Sequence, residues 1–191
     1  PNARIAYAVG PWSRPAIENN PHLDQLIDCA SVGSGRRYPQ KEFGRLIGDI
    51  KAGKFDWCFV LDRSTVLATL PMFAGIKDRI GLDSSGRGFP LTVRVEPQEG
   101  RHDVETYLDT VRAVGIEPAN PRLAFYPTDQ EQAAAGRLLA GLGTGSLVVA
   151  INPGGGHNPG MTLSAKRWPA ERYAALAAHL ADAGARVVLV G

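Results

Sequence analysis

Apolar residues recur along this chain in two rhythms. Short runs that are almost wholly apolar, or that alternate, occupy residues 4–9, 26–29, 55–61, 78–82, 91–95, 147–151 and 186–190, and read as β-strands. Between them, residues 40–52, 65–74, 103–114, 130–142 and 169–183 place apolar side chains three and four apart, the spacing of an amphipathic helix, and the short stretch 14–19 reads as a further helix candidate. Strands and helices that alternate in this way predict a parallel α/β architecture with helices on both faces of the sheets. The stretch 116–127, which holds Pro118, Pro121 and Pro127, has little periodicity and reads as a connector. It divides the chain into residues 1–120 and 121–191, two Rossmann-like domains, the second holding only two strands. Strands 4–9 and 55–61 are expected parallel in one sheet, and 147–151 and 186–190 parallel in another, with 118–127 passing between the two. A doubly wound domain of two strands leaves its own sheet uncovered. With a strand pattern starting just after Pro1 and ending at Gly191, the chain reads as a piece of a longer protein, expected inactive in isolation and prone to aggregate through its uncovered strands.

The last strand-helix-strand unit has the best-marked helix. Pro169 suits a first helical turn, where its missing N–H is no loss, and Glu171 favours the positive end of the helix dipole. Tyr173, Leu176, Ala177 and Leu180 follow at helical spacing, and Gly184 suits a left-handed turn that ends the helix before Val187. The connection that precedes this helix is unusual. Loops between strand and helix in α/β units run to about 2–6 residues, whereas residues 152–168 form a far longer, glycine-rich segment with His157, Lys166 and Arg167. In open parallel sheets ligands collect beyond the carboxyl ends of the strands, which is where this segment lies. Its glycines let backbone approach a ligand closely, and Ser164, Lys166 and the helix N-terminus offer donors and positive potential to an anion such as a diphosphate. A solvated surface excursion is the competing reading. Neither GxGxxG nor GxxxxGK followed by Ser or Thr is present, which disfavours a dinucleotide fold or a P-loop.

Composition narrows the field without naming a function. At 191 residues, 44% hydrophobic and 21% charged, the chain has enough apolar material to bury a core. A net charge of +2, with no block of five or six like charges, argues against nucleic acid as a partner. No apolar run approaches the roughly 20 residues of a membrane span. Cys29 and Cys58 both fall in apolar strand-like runs without metal-ligand spacing, and read as reduced core thiols of a cytosolic protein rather than a disulfide.

Three separated motifs carry a resemblance. The run PGGG…SAKRWPAERYAALAAHLADAGARVVLVG, from Pro153, resembles the PGA-x-n-K-x-WP-x-E-R-F/Y pattern that opens the C-terminal domain of glycosyltransferase family 9, the bacterial heptosyltransferases. The segment FDWCFVLDRSTVLATLPMFAGIKDRIGLDSSGRGF resembles that family's YD-x-x-I/V-D-L-Q-G, a helix and an RIG strand. RHDVETYLDTVRAVGIEP resembles its H-x-V-E-x-Y-L-x-x-L-x-x-L-G-I. The motifs stand in the family's order over most of the chain, and they specify the family without specifying one sugar.

The resemblance implies a GT-B fold, a pair of Rossmann-like domains with parallel sheets. Residues 1–120 would be the acceptor-side domain without its first strand, and 121–191 the start of the donor-nucleotide domain. It implies an inverting, metal-independent transfer of a sugar such as heptose. The donor would be a nucleotide-diphosphate sugar and the acceptor a lipopolysaccharide core or related anionic glycolipid or glycan, with no separate cofactor. A cytoplasmic protein with peripheral contact at the inner membrane surface fits that chemistry. The absence of any Asp-x-Asp pair agrees with the lack of a metal. Lys166 matches the family's donor-phosphate lysine, where a fixed cation stabilises the charge that grows on the leaving diphosphate. Ser164, Thr162, Gly154 and Gly155 sit where hydroxyls and backbone N–H groups approach the same phosphates. The stretch GGGHNPGMT is longer than the family's short form and assigns no individual role to His157 or Asn158.

On the acceptor side, Asp62 matches the Asp of the D-L-Q-G pattern, with Arg63 in place of Leu and Ser64 in place of Gln; capping the following helix is an equal alternative. Arg79, Asp83 and Arg87 flank a glycine-rich loop, where two arginines suit phosphate or carboxylate groups of an anionic acceptor, or else lie solvated. His102 matches the family histidine before the long helix, as an acceptor contact or a cap. Trp57 and Trp168 read as packing residues, and His22 and His179 as surface residues. The family's S-x-L/I-G-D loop, which carries the presumed catalytic carboxylate, would precede Pro1, and its D-S/T-G-x-x-H donor motif would follow Gly191, so no catalytic base is assigned. Two alternatives stand beside the transferase: a non-catalytic nucleotide-binding GT-B module, which would lack the Asp of that first loop, and a GT-B nucleotide-sugar epimerase, which would need a carboxylate pair facing the donor.

Overall fold

In this computed structural model of the protein, residues 3–32, 38–141, 147–154 and 167–190 are described. They belong to two compact units, Pro1–Phe125 and Tyr126–Gly191.

In the first unit, β1 (Ala6–Val9) and β2 (Gln25–Asp28) pair in parallel with Ala6 opposite Gln25 and Val9 opposite Asp28. The helix expected over 14–19 is only a 3-10 turn at Arg14–Ala16. Pro15 occupies its start, and Asn19-Asn20-Pro21 supplies turn formers where a helix would need to propagate. Helix α1 (Gln40–Ala52) presents Phe43, Leu46, Ile47 and Ile50 on one side, and Leu46 is wholly buried. Its first turn is tied back to the segment after β2, because both the N–H and the hydroxyl of Ser31 donate to Glu42 Oε2.

Strand β3 (Trp57–Val60), helix α2 (Thr65–Phe73), β4 (Asp78–Leu82) and β5 (Val93–Val95) follow, and the three strands pair in parallel in the order β3-β4-β5. Gly81 allows the β3–β4 approach: a Cβ there would lie 2.8 Å from the Val60 carbonyl oxygen. Helix α3 (Asp103–Arg112) packs on β4 and β5. Its two buried hydroxyls return their protons to the helix backbone, Thr106 to His102 O at 3.2 Å and Thr110 to Tyr107 O at 2.7 Å, so neither is left unpaired.

The expectation that strands 4–9 and 55–61 share a sheet is corrected. β1–β2 and β3–β4–β5 are separate sheets. A ladder needs backbones about 4.8 Å apart, and the link seen between these strands is a side chain: Arg4 Nη2 donates to Gly53 O at 3.4 Å, with its guanidinium 5.6 Å from the Phe55 ring centre. One core nonetheless underlies both sheets, since Ile27, Leu46, Ile50, Leu70 and Ile76 form a single buried cluster against which Ala6, Cys29, Phe55 and Cys58 pack.

In the second unit, α4 (Asp129–Ala140) opens with a capping box in which Thr128 Oγ1 accepts the Glu131 N–H and Glu131 Oε2 accepts the Thr128 N–H. β6 (Val148–Ile151) and β7 (Arg186–Leu189) pair in parallel, as expected, on either side in sequence of α5 (Ala170–Asp182). Pro169 is the N-cap rather than a residue of the first turn, and Gly184 takes a left-handed φ of +86° where the helix ends. No described helix is long and apolar enough to cross a membrane.

Candidate functional site

The carboxyl ends of β3, β4 and β5 converge on one cavity of about 530 Å³. Each strand end contributes: Arg63 after β3, the segment from Asp83 to Arg87 after β4, and Glu96 with Pro97 after β5. This is the position at which a parallel sheet opens its loops to ligand.

Beyond β4 the chain reverses in a tight turn. Arg87 N–H donates to Ser84 O at 3.3 Å, and the two residues between, Ser85 and Gly86, have φ of +56° and +75°. Two successive left-handed residues are costly for most side chains and are kept where surrounding bonds enforce them. Asp83 supplies one such bond, its Oδ1 accepting the Gly88 N–H at 2.9 Å. Ser84 Oγ is buried and, among the described residues, has no hydrogen-bond partner.

Arg63 and Arg87 thus reach one cavity from different strand ends, together with the carboxylates of Asp83 and Glu96. Arginine forks, carboxylates and a serine-rich turn suit a polyhydroxylated ligand that also carries an anionic group. Arg63 is further held at 3.6 Å from Asp103 in the first turn of α3, an exposed pair that orients more than it stabilises. One turn further along α3, partial burial and the charge of Asp103 raise the Tyr107 phenol above its ordinary value, against a lowering by Arg63, so Tyr107 stays a hydroxyl donor within electrostatic reach of this corner.

The other acceptor-side candidates lie differently. Asp62 Oδ1 accepts the Ser64 N–H at 2.6 Å in the turn into α2. His102 is the N-cap of α3, its Nδ1 accepting the Val104 N–H at 3.2 Å. Arg79 stands at the start of β4, at the opposite end of that strand from Asp83, with its guanidinium on the carbonyls of Pro90, Ile76 and Lys77. Arg63, Ser84, Ser85, Glu96 and Tyr107 were not singled out as site residues by sequence. The run DSSGRG just past a strand was the signal for Ser84 and Ser85, since serine and glycine there mark a turn open to ligand, whereas Arg63, Glu96 and Tyr107 carried no such local signal.

Among the residues expected to bind the donor, Gly154 follows β6 and donates its N–H to Asn152 Oδ1 at 3.2 Å. Gly155, Thr162, Ser164 and Lys166 lie outside the described residues. At the entry to α5, Trp168 meets Tyr173 edge-on, with ring centres 5.4 Å apart, and the Arg172 guanidinium lies 5.9 Å from the centre of the Trp168 ring. Trp57 lies tilted against Phe59 at 6.3 Å.

Parallel sheets with loops open at their carboxyl ends make this an α/β protein, and likeness to solved structures narrows the class to the GT-B fold. It is similar to a glycosyl transferase of family 9 from Veillonella parvula, with a TM-score of 0.75 and 21% identity over 98% of this chain and 53% of that one. It is also similar to the Escherichia coli ADP-heptose lps heptosyltransferase II, with a TM-score of 0.70 and 26% identity over all of this chain and 56% of that one. The family model for glycosyltransferase family 9 (heptosyltransferase) matches residues 43–191, and the chain belongs to that family. Among curated proteins it is 30% identical over 201 residues to lipopolysaccharide heptosyltransferase 2 of Escherichia coli K12, which accounts for all of this chain and 55% of that protein. The chain therefore spans about half the length of the curated relatives it matches.

Proposed function

We propose that the complete polypeptide carrying this chain transfers a heptose from a nucleotide-diphosphate donor, ADP-heptose by analogy with its relatives, to a lipopolysaccharide-core acceptor. The transfer inverts the anomeric centre and needs no metal. The observation that carries this reading is the family match over residues 43–191, to which the cavity at the carboxyl ends of β3, β4 and β5 adds a binding chemistry.

In this reading the first unit holds the acceptor. Arg63 and Arg87 bind its phosphate or carboxylate groups, while Asp83, Glu96 and the turn from Ser84 to Gly86 contact sugar hydroxyls. The second unit binds the donor diphosphate through Gly154, Gly155, Thr162, Ser164 and Lys166, with Lys166 neutralising the leaving group. The sequence carries no Asp-x-Asp pair to bridge a metal to the diphosphate, which is why fixed cations are assigned that work. Because such an acceptor is lipid-anchored, the reaction is placed at the cytoplasmic face of the inner membrane. No bound nucleic acid and no further cofactor enter the scheme.

The test is direct. The complete polypeptide is incubated with ADP-heptose and heptose-deficient lipopolysaccharide in the presence of a chelator, and the product is weighed by mass spectrometry. One added heptose residue per acceptor is the expected result. No transfer from ADP-heptose, or transfer only when a divalent metal is restored, overturns the corresponding part of the proposal.

A further inference from the structure

We infer that Thr65 is a positioning residue of the Arg63–Arg87 cavity: its hydroxyl latches the Arg87 carbonyl to the first turn of α2 and so fixes the turn that presents Arg87 beside Arg63. The inference rests on the acceptor reading above.

Thr65 is the first residue of α2, two positions after Arg63, and its Oγ1 donates to Arg87 O at 3.0 Å. A hydroxyl at a helix start commonly serves its own helix; here it donates to a loop that leaves a different strand. The bond joins the segment carrying Arg63 to the turn carrying Arg87, in parallel with two other ties. Arg63 is paired with Asp103 of α3, and the Asp83 carboxylate closes the loop on the Gly88 N–H. The three ties together stitch the ends of β3 and β4 to the start of α3. The turn they hold has two residues at positive φ, and without Thr65 the Arg87 carbonyl loses its tie to α2, leaving the turn to the 3.3 Å bond from the Arg87 N–H to Ser84 O and the Asp83–Gly88 bond. Relaxation of that turn would move the Arg87 guanidinium relative to Arg63, and paired recognition of one anionic group is sensitive to such displacement.

The prediction is specific to the acceptor. In the complete polypeptide, Thr65→Val, which keeps the β-branched shape and removes the hydroxyl, should raise the acceptor KM roughly 3- to 10-fold, the scale of one lost hydrogen bond. The kcat and the ADP-heptose KM should stay within about 2-fold, and Thr65→Ser, which restores the donor, should recover most of the loss. Amide hydrogen exchange should quicken at residues 84–88 in Thr65→Val, which reads the latch even if the variant is less stable. An unchanged acceptor KM and unchanged exchange overturn the inference, as does an equal loss on the donor side or a Thr65→Ser variant no better than Thr65→Val. Arg87→Ala is measured in parallel. If it raises the acceptor KM while Thr65→Val does not, the latch alone is wrong; if Arg87→Ala leaves the acceptor KM unchanged, the acceptor reading of the cavity falls and the latch with it.

Discussion

Arg79 Nε donates to the Pro90 carbonyl at 2.7 Å, joining the start of β4 to the segment that leads into β5. The same guanidinium donates through Nη1 to Ile76 O at 2.6 Å and Lys77 O at 3.0 Å, and the backbone N–H of Arg79 bonds to Thr92 Oγ1 at 2.8 Å. A cation so committed to backbone oxygens closes the amino end of the β4–β5 pair, away from the cavity at the other end.

Arg79→Ala is accordingly expected to lower stability by about 1.5–3 kcal/mol, the scale for hydrogen bonds to a charged group. Arg79→Lys should recover only part, since a point ammonium does not reproduce the planar fork. Urea unfolding of the purified protein reads the effect. A variant that keeps its midpoint but needs more acceptor would return Arg79 to the binding site.

Gly88 is expected to resist any side chain. A Cβ there would lie 3.0 Å from both Cβ and Cγ of Asp83 and 3.1 Å from its Cα, so Asp83 must give by a few tenths of an ångström. Gly88→Ala should cost about 1–3 kcal/mol, the scale of overpacking, and should raise the acceptor KM by loosening the Asp83–Gly88 bond. A variant as stable as the parent with unchanged acceptor kinetics would show that this closure is not needed.

Acid should release the tie between Ser31 and Glu42. The two bonds from Ser31 hold the Glu42 carboxyl below its ordinary value of 4.5. A carboxylate with a depressed folded pKa stabilises above the unfolded value, and that contribution is lost as pH falls through the folded one. The melting-temperature gap between the parent and Glu42→Gln should therefore be widest near neutrality and should narrow below about pH 4.5. A gap that widens on acidification would contradict the sign.

Lys166→Ala, in the complete polypeptide, is expected to cut kcat/KM for the donor by about 10- to 150-fold, the equivalent of roughly 1.5–3 kcal/mol for a charge-assisted phosphate contact. Lys166→Arg should restore part of this, and Arg167→Ala should cost much less. Steady-state kinetics with ADP-heptose varied, and folding checked by circular dichroism, decide it. If Arg167→Ala proves the damaging change, the lysine assignment fails.

Local pattern was legible where local forces decide. The period of Phe43, Leu46, Ile47 and Ile50 marks α1 at Gln40–Ala52, the residues expected, because one buried face suffices to specify a helix. Gly184 likewise announced the end of α5 through a backbone state that glycine adopts at no steric cost. The parallel pairing of β6 with β7 was legible from one strand-helix-strand unit, but that of β1 and β3 was not: their residues do not encode which neighbour each takes, and that choice is made by tertiary packing. The cavity was legible only in fragments. Arg63, Arg87 and Glu96 are far apart in sequence and meet because three parallel strands end together. Arg79 and Arg87 looked equivalent in the sequence, yet β4 runs between them and separates a lattice of backbone bonds from a lining of open cavity.

The packing of Cys58, on β3, against the core has a practical consequence for labelling chemistry. Burial pushes its thiol up to about 11, and burial with the neighbouring Asp28 raises that of Cys29 as well. Reaction with maleimides and disulfide reagents requires thiolate, and a thiol near 11 is ionised to only about one part in ten thousand at neutral pH. Cys58 is therefore nearly silent toward such reagents. A probe cysteine such as Ser85→Cys, on the exposed turn of the cavity, would take up a fluorophore ahead of Cys58, so occupancy of that turn can be followed optically without first removing Cys58.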